Sequence, residues 1–296
     1  MQHVLTLIAP AGQLPASTVT RVRDALTALG ASLGPADWLA EDSAVDLPFE
    51  GLAAEQAEAA ARAALDGAAV DTVAQAVEGR RKRLLIADMD STIVTSETLD
   101  ELAAYAGFGE QVAAITRRSM NGEIDFSTAL RERVAMLKGL SLDALEATWA
   151  QTHPMPGAAE LVRTMRANGA HCALASGGFT WFTGRVADKL GFSSHHANVL
   201  EDDGKALLGT VTEPVFDRDA KLTTLKRLCA ELGLPLSAAV AVGDGANDLA
   251  MIGAAGLGVA YHAKPIVAAS ARVRVDHNDL RALLFAQGYR RAEFVS

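Results

Sequence analysis

Cysteine is nearly absent: Cys172 and Cys229 are the only two in 296 residues, and neither sits in a C-x-x-C pair. That excludes a disulfide framework and gives no thiol pair for zinc or redox work, so both are expected as buried thiols. His171, His195 and His196 have no carboxylate or cysteine partner at metal-ligand spacing, and no zinc site is expected. No stretch approaches the ~18 uninterrupted apolar residues of a membrane span. The N-terminus also lacks the charged start, apolar run and small-residue cleavage site of a secretory signal. A cytoplasmic protein with no membrane partner is therefore the expectation. Clustered positive charge is scarce as well. The net charge is −9, and a phosphate-backbone footprint needs Lys and Arg gathered on one face, so nucleic acid is not an expected partner. The one basic run, Arg80, Arg81, Lys82 and Arg83, reads as a solvated linker. A G-x-x-x-x-G-K-[ST] loop is missing too, which disfavours a P-loop kinase and leaves water as the natural acceptor.

What is present is ordinary globular composition, with 50% hydrophobic and 21% charged residues, enough to bury a sizeable core. Residues 1–80 read as a small α+β unit. An apolar run over 4–9 suggests a strand, and Val19, Val22, Ala25, Leu26 and Leu29 repeat at helical spacing. Extended pieces come next, near 31–39 and 43–49, then an Ala-rich helix over 53–65 and a strand near 70–77. The order βαββαβ is ferredoxin-like.

Over residues 81–296 the pattern changes. Continuous apolar runs at 84–87, 172–175, 238–242 and 257–260 are each consistent with a strand buried on both faces of a parallel sheet, within a doubly wound α/β fold. Residues 95–151 are polar and helical, too long for an α/β connection, and are expected to form an inserted cap over the carboxyl edge of the sheet. Residues 197–214 read as a β-hairpin excursion. His153, within His153-Pro154-Met155-Pro156-Gly157, stands where the cap rejoins the sheet and is expected to act as a hinge residue.

Three of these strands run into polar clusters, and ligands of open α/β sheets bind at the carboxyl ends of strands. The first leads to Asp88-Met89-Asp90-Ser91-Thr92, the second to Ser176-Gly177-Gly178, and the third to Gly243-Asp244-Gly245-Ala246-Asn247-Asp248. A D-x-D-x-[ST] string arises by chance in roughly one chain in ten of this length, but G-D-G-x-N-D in only about one in several thousand. Carboxylates gathered at one sheet edge repel one another, so the set makes physical sense only with a cation, and oxygen donors suit a hard ion such as Mg²⁺. Asp88 and Asp244 are the expected carboxylate ligands, with Asp248 and Asn247 orienting ligands or waters just outside them. Asp88 is also the expected nucleophile, and Asp90 the acid and then base for the leaving oxygen and the water. Ser176 and Gly177 offer donors to the phosphoryl oxygens, and Lys221 a point charge.

These clusters, with Lys221, resemble the motif set of the haloacid dehalogenase superfamily of phosphatases, and the likeness runs from about residue 83 to the end. The resemblance implies that Asp90 also binds Mg²⁺, through its backbone carbonyl. The spacing and the cap resemble the branch of that superfamily that acts on phosphoserine. On this resemblance Glu97 would meet the substrate ammonium and Arg133 its carboxylate, with Met120 and Phe126 as apolar walls and Asn247 near the substrate. Taken singly, each of these has a plainer explanation as a solvated or packed helix residue; together they match the family spacing. The N-terminal unit resembles small ACT-like regulatory modules by pattern alone, which leaves open an amino-acid site, a homodimer contact, or neither. The expected activity is hydrolysis of O-phospho-L-serine in serine biosynthesis. The alternatives are hydrolysis or phosphotransfer on another small phosphorylated metabolite, action on phosphoproteins, and a non-catalytic Mg²⁺ and amino-acid sensor.

Overall fold

The computed structural model describes residues 2–120 and 123–296, the side chain of Met120 excepted. The N-terminal elements are β1 (His3–Ile8), α1 (Ala16–Ala28), β2 (Ser32–Leu33), β3 (Asp37–Ala40), β4 (Ala44–Glu50), α2 (Ala54–Leu65) and β5 (Asp71–Ala76). β1 lies between β4 and β5, and both β2 and β3 pair with β4, all antiparallel, which is the ferredoxin-like strand order. Alternation sets the faces. Leu5, Leu7, Val45, Leu47 and Phe49 pack against Val22, Leu26, Ala57 and Ala61 of the two helices.

The opposite face of this sheet carries Thr6, Asp46, Asp71 and Gln75, and these are buried too. The rest of the chain covers them, and the basic run supplies much of the contact. Arg80 donates to Asp46 at 2.5 and 3.1 Å, to Thr6 Oγ1 at 3.1 Å and to the Phe285 and Ala286 carbonyls. Arg81 stacks 4.1 Å over the Tyr289 ring and pairs with Glu293 at 2.8 Å. Lys82 is buried, its Nζ donating to the Gly79 and Ser237 carbonyls. Arg80 and Lys82 are thus no solvated tether, whereas Arg81 and Arg83 stay exposed. The partners of Arg80 lie far away in sequence, so counting local charge could not reveal them. Gln75 Nε2 to Ala286 O at 2.6 Å and Asn278 Nδ2 to Asp71 Oδ2 at 2.8 Å also cross the seam. Arg80→Ala is expected to destabilise the protein by about 3–5 kcal/mol, because Asp46 would stay buried without its cation. Denaturant titration checks this, and a loss under about 1 kcal/mol would restore the linker reading.

The remaining elements are β6 (Leu84–Ala87), α3 (Thr98–Tyr105), α4 (Gly109–Met120), α5 (Phe126–Ala135), α6 (Asp143–Gln151), α7 (Ala158–Ala167), β7 (His171–Phe179), α8 (Thr180–Leu190), β8 (Ser194–Asn198), β9 (Leu200–Asp202), β10 (Leu207–Val211), α9 (Arg218–Glu231), β11 (Ala239–Gly243), α10 (Leu249–Ala254), β12 (Leu257–Tyr261), α11 (Pro265–Ser270), β13 (Val273–Val275) and α12 (Ala282–Ala286). Six strands form one parallel sheet in the order β13-β12-β11-β6-β7-β8. Chain order reverses between β6 and β11, so successive crossovers leave in opposite directions there and open a crevice at the strand carboxyl ends. β8 and β13 were not apparent in the sequence. β8 is an edge strand reading Ser-His-His-Ala-Asn, without an apolar run, and β13 is three residues long.

Helices α3–α6 occupy the stretch between β6 and α7. Their base is a short two-stranded ribbon: Thr95 N donates to His153 O at 2.9 Å and Met155 N to Ile93 O at 2.8 Å. β9 and β10 form the expected hairpin. It bonds to the helical layer through Gly139 N to Leu207 O, Leu207 N to Leu140 O and Leu142 N to Lys205 O, at 2.8–3.0 Å. Among the described residues no helix is long and apolar enough to cross a membrane. Cys172 and Cys229 are both buried and free.

Candidate active site

The crevice at the chain reversal holds four charged groups taken out of water. Asp88 comes directly after β6, and its Oδ1 accepts from Met89 N at 2.8 Å and pairs with Lys221 Nζ at 2.9 Å. Lys221 lies in the first turn of α9, whose start is fixed by Asp217 capping the Asp219 and Ala220 N–H groups. It is only 1% exposed, and its Nζ also donates to Asp248 Oδ1 at 2.7 Å. Burial works against the ammonium charge, but Asp248 and Asp88 outweigh it and raise the Lys221 pKa. The other oxygen of Asp248 accepts from Gly245 N at 3.1 Å. A Cβ on Gly243 would fall 2.3 Å from Asp248 Cγ, so the strand must end in glycine for this carboxyl to fold under it.

Asp244 lies across the crevice, where Thr92 Oγ1 donates to it at 3.2 Å and the half-exposed Lys264 approaches to 3.5 Å. Carboxylate oxygens of Asp88, Asp244 and Asp248 all come within 4.8 Å of one another. Burial and then the Asp88 charge raise the pKa of both Asp244 and Asp248, the response of like charges crowded in a low dielectric. An oxygen-only donor set with excess negative charge fits a hard divalent cation.

Asp90 points the other way, toward the cap. Thr98 N and Thr98 Oγ1 donate to its two oxygens at 3.3 Å each. Burial, then Glu97 and Asp88, push its pKa well above the ordinary carboxylate range, which favours the protonated form. Across from it, Ser176 is buried at the end of β7, its Oγ accepting from Gly178 N at 3.0 Å. A Cβ on Gly178 would lie 2.9 Å from Asp90 Oδ2, and one on Gly177 3.0 Å from the Phe126 ring. The cap therefore rests directly on this loop.

Of the expected cap residues, Glu97 precedes α3 and accepts from Ser91 Oγ at 2.7 Å. Arg133 lies in α5 and donates to Ala129 O in its own helix. Burial lowers its pKa, while Asp100 and Glu97 favour its charge. Met120 ends α4, and its side chain is outside the described residues. The Asn247 side chain folds back over Gly245, its Oδ1 2.3 Å from where a Cβ would stand. Sequence reading missed Thr92, Thr98 and Lys264, which touch the carboxylates directly. Thr92 was legible as the last position of D-x-D-x-[ST]; Thr98 and Lys264 carry no signal of their own.

Residues 82–256 match the haloacid dehalogenase-like hydrolase family. A phosphoserine phosphatase of Streptococcus thermophilus is 45% identical over 199 residues, taking in 67% of this chain and 93% of that protein. The chain belongs to the phosphoserine phosphatase family of these hydrolases. Another member, from Streptomyces coelicolor, is 39% identical over 253 residues; the match covers 85% of this chain but 62% of that relative, so this chain spans under two thirds of its length. The family likeness extends to the N-terminal sheet. The crystal structure of a probable phosphoserine phosphatase from Vibrio cholerae, in unliganded form, aligns with a TM-score of 0.80 at 31% identity, covering 99% of this chain and 88% of that one.

Proposed function

We propose that the chain hydrolyses O-phospho-L-serine to serine and inorganic phosphate through an aspartyl-phosphate on Asp88, the last step of serine biosynthesis. The observation that carries this reading is the division of labour between two neighbouring carboxylates. Asp88 has Oδ1 pinned by Lys221 and Met89 N–H, and among the described residues no donor bonds to Oδ2. Asp90, two residues on, is held by Thr98 with its proton favoured.

Mg²⁺ would be held by the Asp88 and Asp244 carboxylates and the Asp90 backbone carbonyl, with Asp248 orienting the set from behind through Lys221 and Gly245. When bound, the ion offsets phosphate charge and lets an anionic nucleophile approach phosphorus. Asp88 Oδ2 forms the new P–O bond as the bond to the serine oxygen breaks, and Asp90 gives that oxygen its proton. Asp90, now ionised, takes a proton from water as the water oxygen attacks phosphorus, which frees Asp88 and releases phosphate. Ser176 Oγ, the Gly177 N–H and Lys221 serve the equatorial oxygens.

In this reading residues 95–151 are the cap that chooses the substrate, on a core of residues 81–296. Glu97 meets the ammonium and Arg133 the carboxylate, while Phe126 and Met120 wall the pocket and Asn247 borders it. The contact of Phe126 with Gly177 supports a lid that closes on the phosphate loop. Residues 1–80 are an ACT-like module. The test is a phosphate-release screen over phosphorylated small metabolites, with Mg²⁺ and with chelator. Phosphoserine is expected to lead and chelation to suppress release by more than about 100-fold. Equal rates in chelator, or a rate rising with phosphopeptide length, would overturn the proposal.

A further inference from the structure

A buried asparagine with no part in the chemistry above stands between the phosphate loop and the hairpin. Asn198 closes β8 and is 2% exposed. Its Nδ2 donates to Gly177 O at 2.9 Å and to Phe216 O at 3.2 Å, and its Oδ1 accepts from Phe216 N at 2.7 Å. Phe216 lies on the return from the hairpin. One side chain therefore ties together the strand end before the hairpin, the segment after it, and the loop that carries Ser176.

These bonds have two effects. The Gly177–Gly178 peptide is held at both ends, its carbonyl by Asn198 and its N–H by Ser176 Oγ at 3.0 Å. Glycines on both sides would otherwise let that peptide rotate freely, and rotation would break the bond that orients the Ser176 hydroxyl. The hairpin anchored by Asn198 is also bonded, backbone to backbone, to residues 139–142 of the helical layer, and that layer places Phe126 on Gly177. A buried amide is unfavourable unless its donors and acceptor are met. Here every one of its bonds goes to a segment bordering the phosphate loop, whereas simple packing at β8 would be better served by an apolar residue.

We propose that Asn198 is a positioning residue for phosphoryl transfer: it locks the Gly177–Gly178 peptide to the base of the hairpin, so that the phosphate donors and the cap share one geometry. The inference rests on the reading of Ser176 and Gly177 as phosphate ligands.

Asn198→Asp is nearly isosteric and keeps the acceptor for Phe216 N, but loses both donated bonds. Assayed well below its melting temperature, it is expected to show kcat for phosphoserine lowered about 10–100-fold and inhibition by inorganic phosphate weakened about tenfold. A variant that melts lower yet matches wild type in kcat and phosphate inhibition would reduce Asn198 to a packing role and overturn the proposal. Should Asn198→Asp fail to melt cooperatively, Asn198→Ser takes the same measurements. Amide hydrogen exchange of the wild-type protein adds a readout without any substitution. The Gly178 N–H, which donates to Ser176 Oγ, is expected to exchange as slowly as the amides of residues 172–175, and exchange at the rate of an exposed loop would refute the lock. Absence of phosphoserine hydrolysis by the wild type would sink the proposed function instead, and would leave the exchange result to judge Asn198 alone.

Discussion

Asp88→Asn is expected to lower phosphate release from phosphoserine by about 10⁴-fold or more, the scale seen when a covalent nucleophile is removed, while the fold is kept. An amide has no anionic oxygen to attack phosphorus, yet its Oδ1 can still accept from Met89 N and Lys221, so the local geometry survives. The electrostatics then make a second expectation. Asp88 is among the causes that raise the Asp90, Asp244 and Asp248 pKa values. Neutralising it relieves that crowding, and Lys221 retains Asp248 at 2.7 Å. In chelator, therefore, the variant is expected to melt no lower than the wild type. Turnover within tenfold of wild type would remove the covalent route, and a large drop in melting temperature would show that Asp88 holds the fold together rather than straining it.

The second large effect is expected at Lys221. Lys221→Met fills a similar volume but leaves Asp88 and Asp248 buried without their shared cation, a loss of about 3–5 kcal/mol when one member of a buried pair is removed. Turnover is expected to fall by about 10²–10³-fold as well, since the transferring group loses a fixed charge. The stability loss depends on pH with a definite sign. In the variant the Asp248 carboxyl has a folded-state pKa above its unfolded one, because burial and then the Asp88 charge still disfavour its ionised form and the lysine no longer counters them. The folded state then binds more protons than the unfolded state between those values, so stability falls as pH rises through that window. The gap between variant and wild type should be small near pH 5 and wide near pH 8, and chemical denaturation at the two values checks it. A gap independent of pH would mean that lost packing, not unpaired charge, sets the cost.

The gathering of Asp88, Asp244 and Asp248 was legible in the sequence because these residues lie in short strings at the ends of buried strands. The runs 84–87 and 238–242 were consistent with strands covered on both faces, and they form Leu84–Ala87 and Ala239–Gly243 with the polar residues directly after each at the sheet edge. The chain reversal then brings those edges together without further information from the loops. Helices α3–α6 were legible as an insertion because no α/β connection needs that length. Some residues that support the site were not legible. Thr98 and Asn198 act through single side chains whose partners lie in other segments, with no string around them to mark the role. β8 escaped because an edge strand has no second neighbour to demand an apolar run.

The basic segment shows where the division falls. Four cations in a row are indistinguishable, by sequence, from a solvated tether. Only the folded chain surrounds Arg80 with Asp46, Thr6 and two carbonyls drawn from far along the sequence, and buries Lys82 against Ser237. The sequence by itself placed the carboxylates that the proposed chemistry uses, because each stands in a short polar string directly after a buried apolar run. Tertiary structure alone decided which residues hold them still, because a hydrogen bond between distant segments leaves no periodic trace in either one.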